Sequence, residues 1–174
     1  MSGCGKLEVI LRVLGFLLSL VAAIVMGVDK ETKVVPITIS SNLPPFPIVV
    51  VAKWHYVSAF VYLLATNVIA SSYGLLSLML TLSNKNRSNN VLTLLIIVLD
   101  TVTVALLSSG TGAALAIGVM GYEGNSHVGW NKVCDTFGRF CKQVAASALL
   151  SLAGAIVFLL LLILALVGLL KRLK

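Results

Sequence analysis

Charge is scarce in this chain: only 11% of its 174 residues are Asp, Glu, Lys or Arg, whereas 59% are hydrophobic and the mean hydropathy is +1.05. A soluble protein of this size would lack the polar surface to cover a core, which excludes that class and any separate soluble domain. Acids are scarcer still, six against thirteen basic residues. The basic residues fall singly near the ends of apolar runs and form no stripe with interleaved aromatics, so they read as headgroup anchors and argue against a nucleic-acid partner. The two histidines, His55 and His127, lie in or beside loops. With no Ser/His/Asp or Cys/His constellation and no glycine-rich turn ahead of a helix, nothing points to an enzyme or a cofactor. Of three cysteines, Cys134 and Cys141 together with His127 make too few ligands, at no recognised spacing, for zinc, so no metal is expected. All four prolines lie between Pro36 and Pro47, outside the long apolar runs, which removes the usual mark of a transporter's broken helices.

What is present is hydrophobic length. Four runs, Val9 to Val28, Trp54 to Leu82, Val91 to Val119 and Val144 to Leu170, each reach the roughly 20 apolar residues a spanning helix needs. Backbone in hydrocarbon satisfies its own hydrogen bonds, and runs without strand-like alternation do so as helices. The expectation is an all-α, four-span bundle in which residues 1–174 form a single membrane domain. The first run is too long for a signal-peptide core and carries Arg12, so it reads as a retained anchor. Lys and Arg outside the spans divide evenly between the two sides. Those beside the termini and in the tight Ser83 to Asn90 connection are the more densely placed, which puts both termini in the cytoplasm and two loops outside. The Asn86-Arg87-Ser88 sequon sits in that tight connection and reads as a chance match. Cys4, in the N-terminal tail, reads equally as an acylation site or an unmodified thiol.

Cys134 and Cys141 share the third loop, on the side assigned as oxidising, where a disulfide is favoured over two free thiols. On a straight helix their seven-residue spacing would separate the Cα atoms by about 10.5 Å. A bridge needs less than about 7 Å, so the segment must bend, and Gly138 permits a bend.

Two charges fall inside apolar runs, Arg12 in the first and Asp100 in the third. Each costs about 2.5 to 3.5 kcal/mol at a helix centre, which favours pairing them. Three readings compete: a structural pair between the first and third spans, a proton or ion relay, and an arginine snorkelling to headgroups. The structural pair leads, because a relay needs further ionisable groups along a path. Small residues recur at helical spacing as Gly15, Ser19, Ala23 and Gly27 in the first span. The other spans carry Thr66, Ala70 and Gly74, then Gly110, Ala114 and Gly118, then Ser147, Ser151 and Ala155. Such ridges let backbones approach closely, within a bundle or between copies.

The loop run Gly124-Asn125-Ser126-His127, Trp130-Asn131 and Cys134-x-x-Phe137-x-x-Phe140-Cys141 resembles the Casparian strip membrane domain protein-like (CASP-like) family of land plants. Leu11-Arg12-Val13, Ala22 to Met26 and Glu31-Thr32-Lys33 are similar to that family's first span and its exit. Phe60-x-Tyr62-Leu63, Asn67, Tyr73 and Ser77 are similar to its second span, and Leu99-Asp100 to its third. The resemblance implies a MARVEL-like four-span bundle whose first-span arginine works with a third-span acid, carried here by Arg12 and Asp100. It also implies a functional Cys134 and Cys141, an outer loop bearing Trp130, Phe137 and Phe140, and homo- and hetero-oligomers in the plasma membrane. Family members that build the Casparian strip form diffusion-blocking platforms and recruit wall-modifying enzymes. The stretch Ser41 to Pro47 departs from the acidic, phenylalanine-rich signature of those strip-forming members, which favours a paralogue at the plasma membrane of other cells. A non-enzymatic scaffold is therefore expected. Its competitors are a small transporter or channel, with Asn67, Asp100 and Thr103 as the candidate polar path, and a membrane-trafficking factor.

Overall fold

The computed structural model describes residues 3–37, 46–83, 90–128 and 130–173. Four long helices dominate: α1 (Gly3–Gly27), α2 (Ser58–Ser83), α3 (Asn90–Glu123) and, after a one-turn helix α4 (Val133–Thr136), α5 (Gly138–Leu173). All four long helices have the length and hydropathy to cross a membrane. Helices α1 and α3 each pack against both α2 and α5, leaving α2 and α5 on the diagonal of a four-helix bundle. The sequon at Asn86 and the stretch from Ser41 to Pro45 lie outside the described residues.

α1, α3 and α5 begin ahead of the hydropathy boundaries, because polar residues can continue a helix beyond hydrocarbon. α1 starts at Gly3, so Arg12 is more than two turns inside the helix and level with Asp100, which is nearly three turns into α3. α5 starts at Gly138 rather than near Val144, which places Phe140 and Cys141 on a helix instead of in a loop.

The first loop corrects the sequence reading further. It holds an antiparallel hairpin, β1 (Lys30–Ile37) and β2 (Phe46–Lys53), in register from Lys30 opposite Lys53 to Ile37 opposite Phe46. The β-branched run Ile48-Val49-Val50-Val51 is too short to span but suits a pleated strand. Pro36 and Pro47 pair one step from the end where the two strands are joined, at the periphery of a two-stranded ribbon, where a missing N–H matters least. A lone hairpin is marginal in water. Here Val50 and Ala52 pack onto the apolar cluster of Met26, Phe60, Leu63, Phe137, Phe140 and Val144 at this end of the bundle. Trp54–Tyr56 is a 3₁₀ turn joining the hairpin to α2, not the start of a span.

Candidate functional site

The bundle interior is layered. Below the loop-end cluster lies a polar layer in which Asn67 donates to the Leu63 carbonyl (2.8 Å) and to Ser151 Oγ (3.1 Å), and Thr111 donates to the same serine (3.0 Å). Ser147 donates to the Ala22 carbonyl at 2.8 Å, tying α5 to α1. Next comes a second apolar layer of Ala70, Leu107, Ala155, Phe158 and Leu161, all buried. Phe158 fits there because Gly15 and Gly74 leave room: a Cβ on either would lie 3.2 and 3.5 Å from its ring.

Beneath this second layer are the charges. Arg12 and Asp100 are both wholly buried. The guanidinium turns into the bundle and approaches the carboxylate with both terminal nitrogens, Nη1 at 3.5 Å from Oδ1 and Nη2 at 3.4 Å from Oδ2. Its shortest bond goes elsewhere, from Nη1 to Ser77 Oγ at 2.9 Å, and Nη2 also reaches Glu8 Oε1, one turn away on α1, at 3.5 Å. Tyr73 donates to Asp100 Oδ1 at 2.6 Å. The group thus joins α1, α2 and α3. Arg12 Nε has no hydrogen-bond partner. Sequence reasoning named the two ions but not their α2 partners. The signal was present in Tyr73 and Ser77, four residues apart and so on one face of α2.

Between this charged group and the Asn67 layer stand the side chains of Ala70, Leu107 and Phe158, while Thr103 Oγ1 donates to its own helix at Leu99 O (2.8 Å). Asn67, Thr103 and Asp100 therefore do not join into a continuous polar path.

The small residues divide. Gly15, Ser19 and Ala23 face the interior, as do Thr66, Ala70, Gly74, Gly110, Ala114, Ser147, Ser151 and Ala155. The tightest approach is at Gly110, where an added Cβ would meet Thr66 Oγ1 at 2.6 Å. Two positions differ from the expected ridges. Gly27 is exposed, and a Cβ there would come no closer than 3.8 Å to Leu64, while at Gly118 it would meet nothing within 4 Å. The outward face of α3 carries a different stripe, Ala105, Ser108, Gly112 and Ala116, all exposed.

At the loop end, Cys134 and Cys141 are joined in a disulfide with their Cα atoms 5.7 Å apart. The chain bends at Phe137 (φ −113°, ψ 57°), between α4 and α5, and does so without a left-handed glycine at Gly138. Phe137 and Phe140 are buried in the core, so of the three aromatic loop residues only Trp130 is exposed. Trp130 bridges to Asn125 across a tight turn, where Gly124 has φ +71° and a Cβ would sit 2.9 Å from the Trp130 carbonyl oxygen. Two acids, Glu31 and Asp29, to which the sequence assigned no contact have structural positions here. Glu31 Oε2 accepts the Phe140 N–H at 2.8 Å in the first turn of α5, a favoured place for a carboxylate. Asp29, just beyond α1, is 1% exposed with neither carboxylate oxygen hydrogen-bonded. Its pKa is pushed up to about 7 by burial and by the nearby Glu31 charge, against a lowering influence from Arg139. Among the described residues no group of three or more metal-ligating side chains occurs.

Four apolar helices closed around buried polar layers define a multi-pass membrane protein. The chain matches the profile of the Casparian strip membrane protein domain over residues 1–157, and it belongs to that family. It is 54% identical to CASP-like protein 1E1 of Glycine max over 168 residues, covering 97% of this chain and 89% of that protein. It is 57% identical to CASP-like protein 1E2 of the same species over 91% of this chain and 84% of the relative. With CASP-like protein 1E1 of Arabidopsis thaliana the identity is 46%, over 94% and 86%. No solved structure matches the chain.

Proposed function

We propose that this protein is a non-catalytic scaffold of the plant plasma membrane that associates with copies of itself and with related CASP-like chains into laterally stable platforms. Both termini face the cytoplasm in this reading, and the hairpin and disulfide face the wall, where they dock wall-modifying enzymes. One observation carries the reading. The intramembrane charges are engaged with one another and sealed by an apolar layer, which suits a clamp holding three helices and does not suit a conduit. The inward ridges being occupied within the chain, the outward α3 stripe of Ala105, Ser108, Gly112 and Ala116 is the surface that supports association. The family's name, taken from a membrane domain, agrees with a structural role.

The test combines subunit counting with flux. Purified protein in mild detergent should run as a dimer or larger, and after reconstitution into liposomes it should pass no ion or small solute above the empty-liposome rate. A strictly monomeric protein giving saturable, Asp100-dependent transport would replace the scaffold with a transporter.

A further inference from the structure

At the loop end lies a cavity of about 700 Å³ bounded by α2, α3, α4 and α5. Its deep part is apolar, formed by Phe60, Ala114, Phe140 and Val144, all buried. Gly118 faces open space, since a Cβ there would touch nothing within 4 Å. Leu115 and Val119, both exposed on the membrane-spanning part of α3, form a side that opens toward lipid. Polar groups are confined to one end, where Tyr122, Glu123, Trp130 and Asn131 line the opening and are exposed. From Ala114 to Glu123 the groove follows α3 for about 13 Å, at 1.5 Å per residue.

We infer that this groove is a binding site for a single choline phospholipid, with one acyl chain in the apolar part and the headgroup at the polar end. The volume lies within the range of small-molecule sites. The side along Leu115 and Val119 faces hydrocarbon, so an acyl chain enters sideways without leaving its own solvent. The rim lies at the end of α3, at headgroup depth, where tryptophan and tyrosine are normally found. Among the described residues the one charged side chain lining the site is Glu123, and the exposed Lys132, between the lining residues Asn131 and Val133, is not part of its wall. An acid beside two aromatic side chains suits a quaternary ammonium, which is attracted to ring faces and to negative charge alike.

The test is native mass spectrometry of the full chain in mild detergent, titrated with dioleoyl phosphatidylcholine or dioleoyl phosphatidylglycerol. The wild type should retain one phosphatidylcholine per chain and bind phosphatidylglycerol about tenfold more weakly. Gly118→Phe fills open space, so it should keep the wild-type helix content and melting temperature while losing the retained lipid. Ala145→Phe, on the α5 wall, repeats the test should the first variant misfold. Glu123→Gln should keep a bound lipid but abolish the preference for choline. Undiminished binding by the folded filling variants would overturn the site, as would an equal ladder of both lipids, the mark of annular lipid only. Loss of the dimer with lipid retained would place a second copy of the chain in the groove instead.

Discussion

Arg12 and Asp100 stand out in the sequence because charge within an apolar run is costly, and the same cost fixes what their substitution does. Removing one member of a buried pair leaves the other charge stranded, at about 3 to 5 kcal/mol. Asp100→Asn and Arg12→Gln should therefore lower folded yield and the detergent melting temperature, and the swapped Arg12→Asp/Asp100→Arg double variant should recover part of the loss. Tyr73→Phe tests the partner that the sequence did not disclose: losing a 2.6 Å bond to a buried carboxylate should cost about 1.5 to 3 kcal/mol. A Tyr73→Phe protein as stable as the wild type would remove Tyr73 from the clamp. Tyr73 and Ser77 stayed hidden because polar side chains are common enough in membrane helices, and which of them meets a given charge depends on the rotation of three helices about one another. Asp29 was illegible for a similar reason, since its burial comes from the hairpin and α5 closing over the end of α1. With its folded pKa raised to about 7, the native state holds a proton that the unfolded chain has released between about pH 4 and 7. Stability should accordingly fall as pH rises through that window and level off above it. Thermal unfolding at pH 5 and at pH 7.5 should show the decline in the wild type and a smaller one in Asp29→Asn.

At the scale of elements, two glycines two residues apart on α3 have opposite surroundings, and that contrast separates folding from association. Gly110→Leu should unfold the bundle or weaken it by at least about 1 to 3 kcal/mol, since even its Cβ collides with Thr66. Gly112→Leu faces open space and should leave the monomer intact while reducing the dimer in detergent. Equal effects of the two on melting temperature would contradict the inward and outward assignment. The four spans were legible from run length alone, because hydrocarbon dictates helices of that size. Which small residues face inward was legible for Gly15, Ser19, Ala23 and Ala114 but not for Gly27 or Gly118, since ridge spacing marks a face without showing whether the neighbouring helix stays close along its whole length. The hairpin escaped notice because proline is a strand breaker in general and is tolerated here in a two-stranded ribbon, near the end where its strands are joined. The two cysteines show how local bending overrides spacing. Their Cα separation of 5.7 Å replaces the 10.5 Å of a straight helix because the chain breaks at Phe137.

On the scale of the whole molecule, the buried polar groups that membrane insertion makes expensive are stacked in separate layers inside the bundle, and among the described residues the outward-facing polar side chains Tyr62, Ser72, Thr101 and Ser109 bond to one another or to their own helices. Such a molecule suits the tasks of persisting in the bilayer and binding its own kind. Its loop end is braced by a disulfide, a hairpin seated on the core and the Glu31 contact to α5. The most direct measurement of the scaffold role is fluorescence recovery after photobleaching of a tagged chain in plant plasma membrane, wild type beside Gly112→Leu. The wild type should recover slowly and incompletely, and the variant, at matched surface expression, should recover faster and further. Rapid, complete recovery of the wild type, unchanged by Gly112→Leu, would contradict a platform-forming scaffold.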